Sequence, residues 1–315
     1  MHEQRRTHMD IDVIIPLYKP GKGLFSLLDR LERQTIPVGR ILLLNTERAY
    51  FDALDGIRDL LEKYKNVEVY HLTKREFDHG HTRRLGVSRS KAEIFVMMTQ
   101  DALPKDSRML EHLTANLKGN VAVSYGRQLA GSTSSVLEQF SRQFNYPRES
   151  SIKSAADKER LGIKTYFCSN VCAAYRRDIY DKLGGFVEKA IFNEDMVYAA
   201  AVINAGYSIA YEAEARVLHA HNYNCMQQFH RNFDLGVSQA DHPEVFASIR
   251  SESEGMQMVK AATTYFIENH RIIEIPYFYL QCFWKYAGYL LGKHYRSLPA
   301  KWILACTASP DYWLK

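Results

Sequence analysis

The chain has 315 residues, 46% of them hydrophobic and 24% charged, a balance that supports a full buried core and argues against intrinsic disorder. Its net charge of +5 comes from basic residues spread along the chain, so no block of base demands a nucleic acid; a diphosphate or an anionic membrane surface suits it as well. Five scattered cysteines, an odd number, argue against a disulfide framework and for a reducing cytoplasm.

The polar start, residues 1–9, is expected to be disordered and lacks the apolar segment of a signal peptide. The apolar run Asp12 to Tyr18, interrupted by Pro16 and followed by Lys19-Pro20-Gly21, reads as a buried strand entering a loop. Leu24, Leu27, Leu28 and Leu31 give a helix, Arg40 to Asn45 a second strand, and Ile57, Leu60, Leu61 and Tyr64 a second helix. Val67 to Leu72 is a third strand, Thr82 to Ala92 a third helix, and Glu93 to Asp101 a fourth strand ending on an acid. This alternation is the doubly wound α/β pattern, with a mostly parallel sheet flanked by helices. Such sheets bind ligands beyond the carboxyl ends of their strands, which brings Tyr18, Asn45 and Asp101 to one crevice.

A helix over Ser107 to Leu117 and a strand over Val121 to Arg127 follow, then a polar stretch from Arg142 to Arg160 that reads as a mobile lid or acceptor-site wall. Phe167 to Tyr175 is a further strand and Arg177 to Leu183 a short helix stopped by Gly184-Gly185. Glu194-Asp195 then stands directly before Met196, Ala199, Ala200 and Ile203, whose spacing marks a buried helix face. Carboxylates there suit the positive end of the helix dipole, and they equally suit a general base. Ile209 to Glu212 and Arg216 to His221 are extended; His219 and His221, two apart, would point the same way. Cys168 and Cys172 could share a helix face, but no second pair with zinc spacing follows. The longest uncharged run, Met196 to Tyr211, is shorter than the roughly 18 apolar residues of a spanning helix.

From about Met256 the chain becomes aromatic and basic and reads as amphipathic helices that pack on the main domain, on a second copy as a homodimer, or on a membrane surface. The domain reading is therefore residues 10–255 as one α/β domain and 256–315 as a helical extension.

Four segments in this order, Asp12-Val13-Ile14-Ile15-Pro16-Leu17-Tyr18, Thr99-Gln100-Asp101-Ala102, Gly184-Gly185-Phe186 with Asn193-Glu194-Asp195, and Gln228-Phe229-His230-Arg231 after His219, resemble an inverting family 2 glycosyltransferase of GT-A fold. Phe77-Asp78-His79-Gly80-His81-Thr82-Arg83-Arg84-Leu85-Gly86 and Thr99 to Pro104 resemble the rhamnosyltransferases that use dTDP-L-rhamnose for bacterial surface polysaccharides. That resemblance implies a dTDP-β-L-rhamnose donor, inversion to an α-rhamnoside, a lipid-linked saccharide acceptor and a peripheral site on the inner face of the cell membrane. It casts Asp195 as catalytic base with Glu194 as its orienting neighbour, and Asp101, joined by His219, as ligands of Mn²⁺ or Mg²⁺. It places Pro16, Tyr18, Asn45, His79, Gly80, Arg83, Gln100, Asp101 and Arg231 around the donor nucleotide.

Gln100 and Ala102 flank Asp101 where the family has Asp-x-Asp, so a turn-capping Asp101 stays open, as do a packed histidine pair and surface roles for Arg83 and Arg231. Two other functions remain alternatives: the same fold with a UDP-hexose or UDP-N-acetylhexosamine donor, and an inactive module that binds a membrane or subunit. A dehydrogenase is disfavoured, since no Gly-x-Gly-x-x-Gly follows the first strand.

Overall fold

The computed structural model describes residues 10–247 and 252–314; the expected disordered start, residues 1–9, lies outside the described residues. Its first half is β1 (Ile11–Tyr18), α1 (Gly23–Glu32), β2 (Ile41–Thr46), α2 (Arg48–Asp52), α3 (Ile57–Lys63), β3 (Val67–Leu72), α4 (His79–Arg89) and β4 (Ile94–Met98). β5 (Leu103–Pro104), α5 (Met109–Thr114), β6 (Val121–Leu129), α6 (Val136–Asn145), β7 (Ser151–Lys153) and α7 (Lys158–Leu161) follow. Next come β8 (Cys172–Arg176), α8 (Arg177–Lys182), α9 (Glu194–Asn204) and β9 (Ser208–Leu218). The chain ends in helices: α10 (Cys225–Asp241), α11 (Pro243–Phe246), α12 (Glu252–Glu268), α13 (Ile275–Lys293), α14 (Ala300–Cys306) and α15 (Pro310–Trp313).

All strands join one sheet in the order β3-β2-β1-β4-β8-β6-β9-β5, with β7 paired to β9. β1, β2, β3, β4, β6 and β9 run one way and β8, β5 and β7 the other. β2 and β4 are buried along their whole length, as continuous apolar runs at the centre of a helix-covered sheet must be. Pro16 is tolerated inside β1 for a simple reason. Val13 N–H points to β2 through Arg40 O, so alternation turns the Pro16 nitrogen toward β4, whose pairing with β1 ends at Ile14 and Met97.

Several boundaries differ from the sequence reading. The fourth strand stops at Met98, and Thr99 to Ala102 form a tight turn closed by Ala102 N–H to Thr99 O, so Asp101 stands on a turn. α4 starts at His79 instead of Thr82, because Asp78 caps it by accepting from Gly80 and His81 N–H at 2.9 and 3.0 Å. The stretch 142–160 is no irregular loop; it holds the end of α6, then β7 and α7. β8 begins only at Cys172, so Cys168 and Cys172 share no helix face. The extended piece 209–212 and the start of the run 216–221 are one strand, β9, which ends at Leu218 and leaves His219 to His221 beyond it; a bulge opposite Gly126 and Arg127 hid the continuity. α9 contains both acids and is buried on nearly every side, with Met196 only half-buried.

The last third packs on the rest through an unusually close helix pair. A Cβ at Gly288 or Gly292 of α13 would collide with the carbonyls of Phe229 or Phe233 on α10, so glycine is what lets the two backbones touch.

Candidate active site

Three elements converge on a cavity of about 490 Å³: the turn after β4, the start of α9, and the segment after β9, with α4 and α10 completing the wall. The order of strands reverses at the β1/β4 boundary, where an open α/β sheet leaves its crevice.

On one side stand Glu194 and Asp195 in the first turn of α9. Asn193 precedes them in the left-handed region, at φ 61°, a conformation asparagine accepts more readily than most residues. Asn170 holds both acids: its N–H donates to Asp195 Oδ2 at 3.0 Å and its side-chain amide to Glu194 Oε1 at 2.9 Å. Asp195 Oδ1 accepts from Met196 N–H at 2.8 Å. Arg83 Nε lies 3.1 Å from Glu194 Oε1 in a buried ion pair, while its Nη1 donates to His79 O at 3.1 Å.

These surroundings separate the two carboxyls. Burial, reinforced by the charge of Glu194, raises Asp195 to about 7 despite its two backbone hydrogen bonds. Burial also pushes Glu194 upward, but Arg83, His79 and the Asn170 amide outweigh it and hold the carboxyl below its ordinary value. Adjacent acids pushed apart in this way have the arrangement that acid–base chemistry needs: one held charged, one raised toward neutrality. Burial lowers His79 to about 4, so its ring is neutral at pH 7.

On the other side Asp101 meets two histidines. Its Oδ1 is 3.5 Å from His219 Nε2 and its Oδ2 is 3.2 Å from His221 Nε2, and the two Nε2 atoms are 3.0 Å apart. Gln128 Oε1 lies 2.9 Å from His219 Nδ1 and is positioned to accept its proton, which leaves Nε2 as a free donor atom toward Asp101. Burial lowers His219 to about 3 and also lowers His221, giving the neutral imidazoles that a metal requires. All three ligand atoms fall within 4.8 Å of one another. The residues therefore fit a divalent cation, and two imidazoles with one carboxylate match Mn²⁺ better than Mg²⁺, which prefers oxygen. Arg231 lines the same cavity, its guanidinium 4.9 Å from the Phe192 ring centre and 5.3 Å from that of Tyr223. It has no carboxylate partner among the described residues.

A second cavity, of about 410 Å³, adjoins the first through His79 and is lined by Tyr18, Thr46, Lys74, Phe77, Ile191 and the C-terminal segment Ala308 to Tyr312. That segment is held by Asp234, which accepts from Thr307 Oγ1 at 2.5 Å and Ala308 N–H at 3.1 Å, and by Lys74, 3.8 Å from Asp311.

Of the residues singled out in the sequence, Asp195, Glu194, Asp101, His219, His79, Arg83 and Arg231 meet in the first cavity, and Tyr18 lines the second. Pro16, Asn45, Gly80 and Gln100 line neither. Asn45 is fully buried; its Nδ2 donates to Glu47 O at 3.2 Å and lies 3.0 Å from His71 Nδ1, while its Oδ1 has no hydrogen-bond partner. Gln100 clamps the end of β1, accepting from Tyr18 N–H at 3.1 Å and donating to Tyr18 O at 3.0 Å. The absent Cβ of Gly80 makes room for the Val187 carbonyl rather than a ligand. Arg83 is buried against Glu194, not exposed on a helix surface.

The sequence reading left out Asn170, Gln128 and Asp78. Only Asp78 had a local mark, an acid directly before a helix; it also accepts from Ala190 N–H at 3.0 Å, joining α4 to the approach of α9.

Residues 12–184 match the family Glycosyl transferase family 2. The chain is 37% identical over 308 residues to the O-antigen chain rhamnosyltransferase RfbN of Salmonella typhimurium, covering 97% of this chain and 96% of that protein. It is 36% identical over 305 residues to WbaN, an O-antigen chain rhamnosyltransferase of Salmonella anatum, over 96% and 95% of the two chains. Among solved structures, the mannosyltransferase PcManGT of Pyrobaculum calidifontis, in complex with GDP-Man and Mn²⁺, superposes with a TM-score of 0.57 at 13% identity over 90% of this chain and 86% of its own. TarS residues 1–349 of S. aureus superposes at 0.53 with 15% identity over 97% and 89%. The fold is that of GT-A glycosyltransferases, and the chain belongs to glycosyl transferase family 2 and is a glycosyltransferase.

Proposed function

We propose that the protein transfers L-rhamnose from dTDP-β-L-rhamnose to a hydroxyl of a growing, lipid-linked O-antigen glycan, with inversion to an α-rhamnoside. The observation that carries this reading is that a single cavity is lined at once by a carboxylate raised to about 7, Asp195, and by the Asp101, His219 and His221 cluster with Arg231. The two named relatives, similar over nearly the whole chain, support the sugar and the polymer.

Asp195 takes the acceptor hydroxyl proton as that oxygen bonds to the anomeric carbon and the bond from that carbon to the diphosphate oxygen breaks on the opposite face. Positioned general bases contribute about 10²- to 10⁴-fold. Asn170 and Met196 N–H fix the carboxylate, and Arg83 keeps Glu194 charged beside it. Arg231, stacked on Phe192 and Tyr223, offers its donors to the leaving diphosphate. A divalent cation held by Asp101, His219 and His221 would neutralise the charge that develops there. The apolar second cavity, between Tyr18, Phe77 and Tyr312, suits the base and sugar of the nucleotide.

A thermal-shift panel tests donor and metal together: dTDP, UDP, GDP and dTDP-L-rhamnose, with and without Mn²⁺, on wild type and Asp101→Ala. A ligand at a hundred times its dissociation constant adds about 2.7 kcal/mol of apparent stability. The expected result is stabilisation by dTDP ligands that needs both Mn²⁺ and Asp101. Preference for UDP would contradict the donor assignment, and no response to any nucleotide would contradict the whole reading.

A further inference from the structure

Beside the first cavity lies a separate cleft of about 360 Å³, sharing Gln128, Arg142 and Tyr146 with it as a common wall. Four cationic side chains line this cleft, Lys105, Arg127, Arg142 and Arg148, and no carboxylate does. Arg142 is already paired with Glu138 at 2.7 Å. The other three form no ion pair with any described residue, and the buried Nε of Arg127 has no hydrogen-bond partner. The β6–β9 register shifts beside it, Gly126 pairing with Glu212 and Arg127 with Arg216, so the extra residues lie on β9 while Arg127 stays in β6. Cations gathered without an acid repel one another unless an anion joins them, and an Arg with idle donors matches the oxygens of a phosphate.

We infer that this cleft is a second anion site, which takes the phosphate or diphosphate ester that links the acceptor glycan to its carrier. The anion site stands on its own geometry; its assignment to the acceptor rests on the glycosyl-transfer reading above. The shared wall gives that assignment its sense: an ester held by Arg127 and Arg148 tethers the acceptor next to the cavity that holds Asp195.

Two measurements on the full chain test it. The first is calorimetric titration with inorganic diphosphate in the presence of a chelator. The expected result is binding that weakens at least about tenfold in Arg127→Gln/Arg148→Gln, the loss of one or two charge-assisted hydrogen bonds, and persists in Arg231→Gln. Absent binding, or binding lost only in Arg231→Gln, would overturn the site. The second compares transfer to one saccharide in two forms, free and diphosphate-linked to a lipid. The double variant should raise KM about tenfold for the linked form only, with kcat near wild type. An equal change for both forms, or none, would overturn the assignment to the acceptor. Should the wild type transfer no sugar, the glycosyl-transfer reading fails and the acceptor assignment with it, while the titration still decides the anion site. Lys105→Gln, an exposed position in the same cleft, repeats both arms if the double variant folds poorly.

Discussion

Asp195 and Glu194 are neighbours in sequence with opposite assignments, and the difference is made by residues far from them in the chain. Arg83 pairs with Glu194 alone, and burial beside that fixed charge raises Asp195 to about 7. As a base Asp195 acts only when ionised, so kcat/KM should climb with pH and level off above about 7, with roughly a tenth of the maximum one unit below. Glu194→Gln removes the charge that raises Asp195, so the midpoint should move to lower pH. A pH–rate series on both proteins checks this, and an unmoved or more alkaline midpoint contradicts it. The acids and Asp101 were legible because each sits where an apolar run starts or stops, which sequence periodicity marks. Asn170, which binds both acids, was not: its partners lie 24 and 25 residues away and no local pattern encodes them. Asn45 shows the converse: its strand-end position looked like a crevice position, while the structure buries it fully, with its Nδ2 against Glu47 O and His71 Nδ1.

At the scale of elements, the alternating β and α runs from residue 11 to residue 98 follow the apolar pattern closely, because β1, β2 and β4 are buried in the centre of the sheet, with only the edge strand β3 partly open. The pattern failed where tertiary geometry overrides it: the bulge in β9, the ordered stretch 142–160, and the early start of α4. Packing on the main domain was one reading of the C-terminal helices, but the pattern did not place the last segment beside the crevice. Ala308 to Tyr312 form one wall of the second cavity, anchored through Thr307 and Ala308 on Asp234 of α10. If the nucleotide occupies that cavity, Tyr312→Ala removes about 1 kcal/mol of ring contact and should weaken dTDP binding about fivefold while leaving kcat close to wild type. Calorimetric titration of dTDP with Mn²⁺ present measures this, and an unchanged dissociation constant would place the base elsewhere.

For the whole molecule, no helix among the described residues is long and apolar enough to cross a membrane. The helices of the last third nevertheless expose large apolar and aromatic side chains: Ile273 is 91% exposed, Phe283 62% and Trp302 55%, with Lys260 and Lys301 also exposed. Exposed aromatic, aliphatic and Lys side chains of this kind suit the headgroup region of an anionic bilayer. Wild-type protein should sediment with vesicles containing phosphatidylglycerol, and Ile273→Ser/Phe283→Ser should reduce the bound fraction severalfold without changing transfer to a free saccharide. Equal binding by both proteins would argue that these side chains are covered by a second copy instead.

The central claim is that this cavity performs an inverting transfer with Asp195 as base. Its most direct test is the anomeric configuration of the product formed from dTDP-β-L-rhamnose with Mn²⁺, read by NMR for wild type and Asp195→Asn. An α-rhamnoside from the wild type and, at the same enzyme concentration, a rate at least about a hundredfold lower from the variant is the predicted result. A β-rhamnoside, or undiminished turnover by Asp195→Asn, would contradict it.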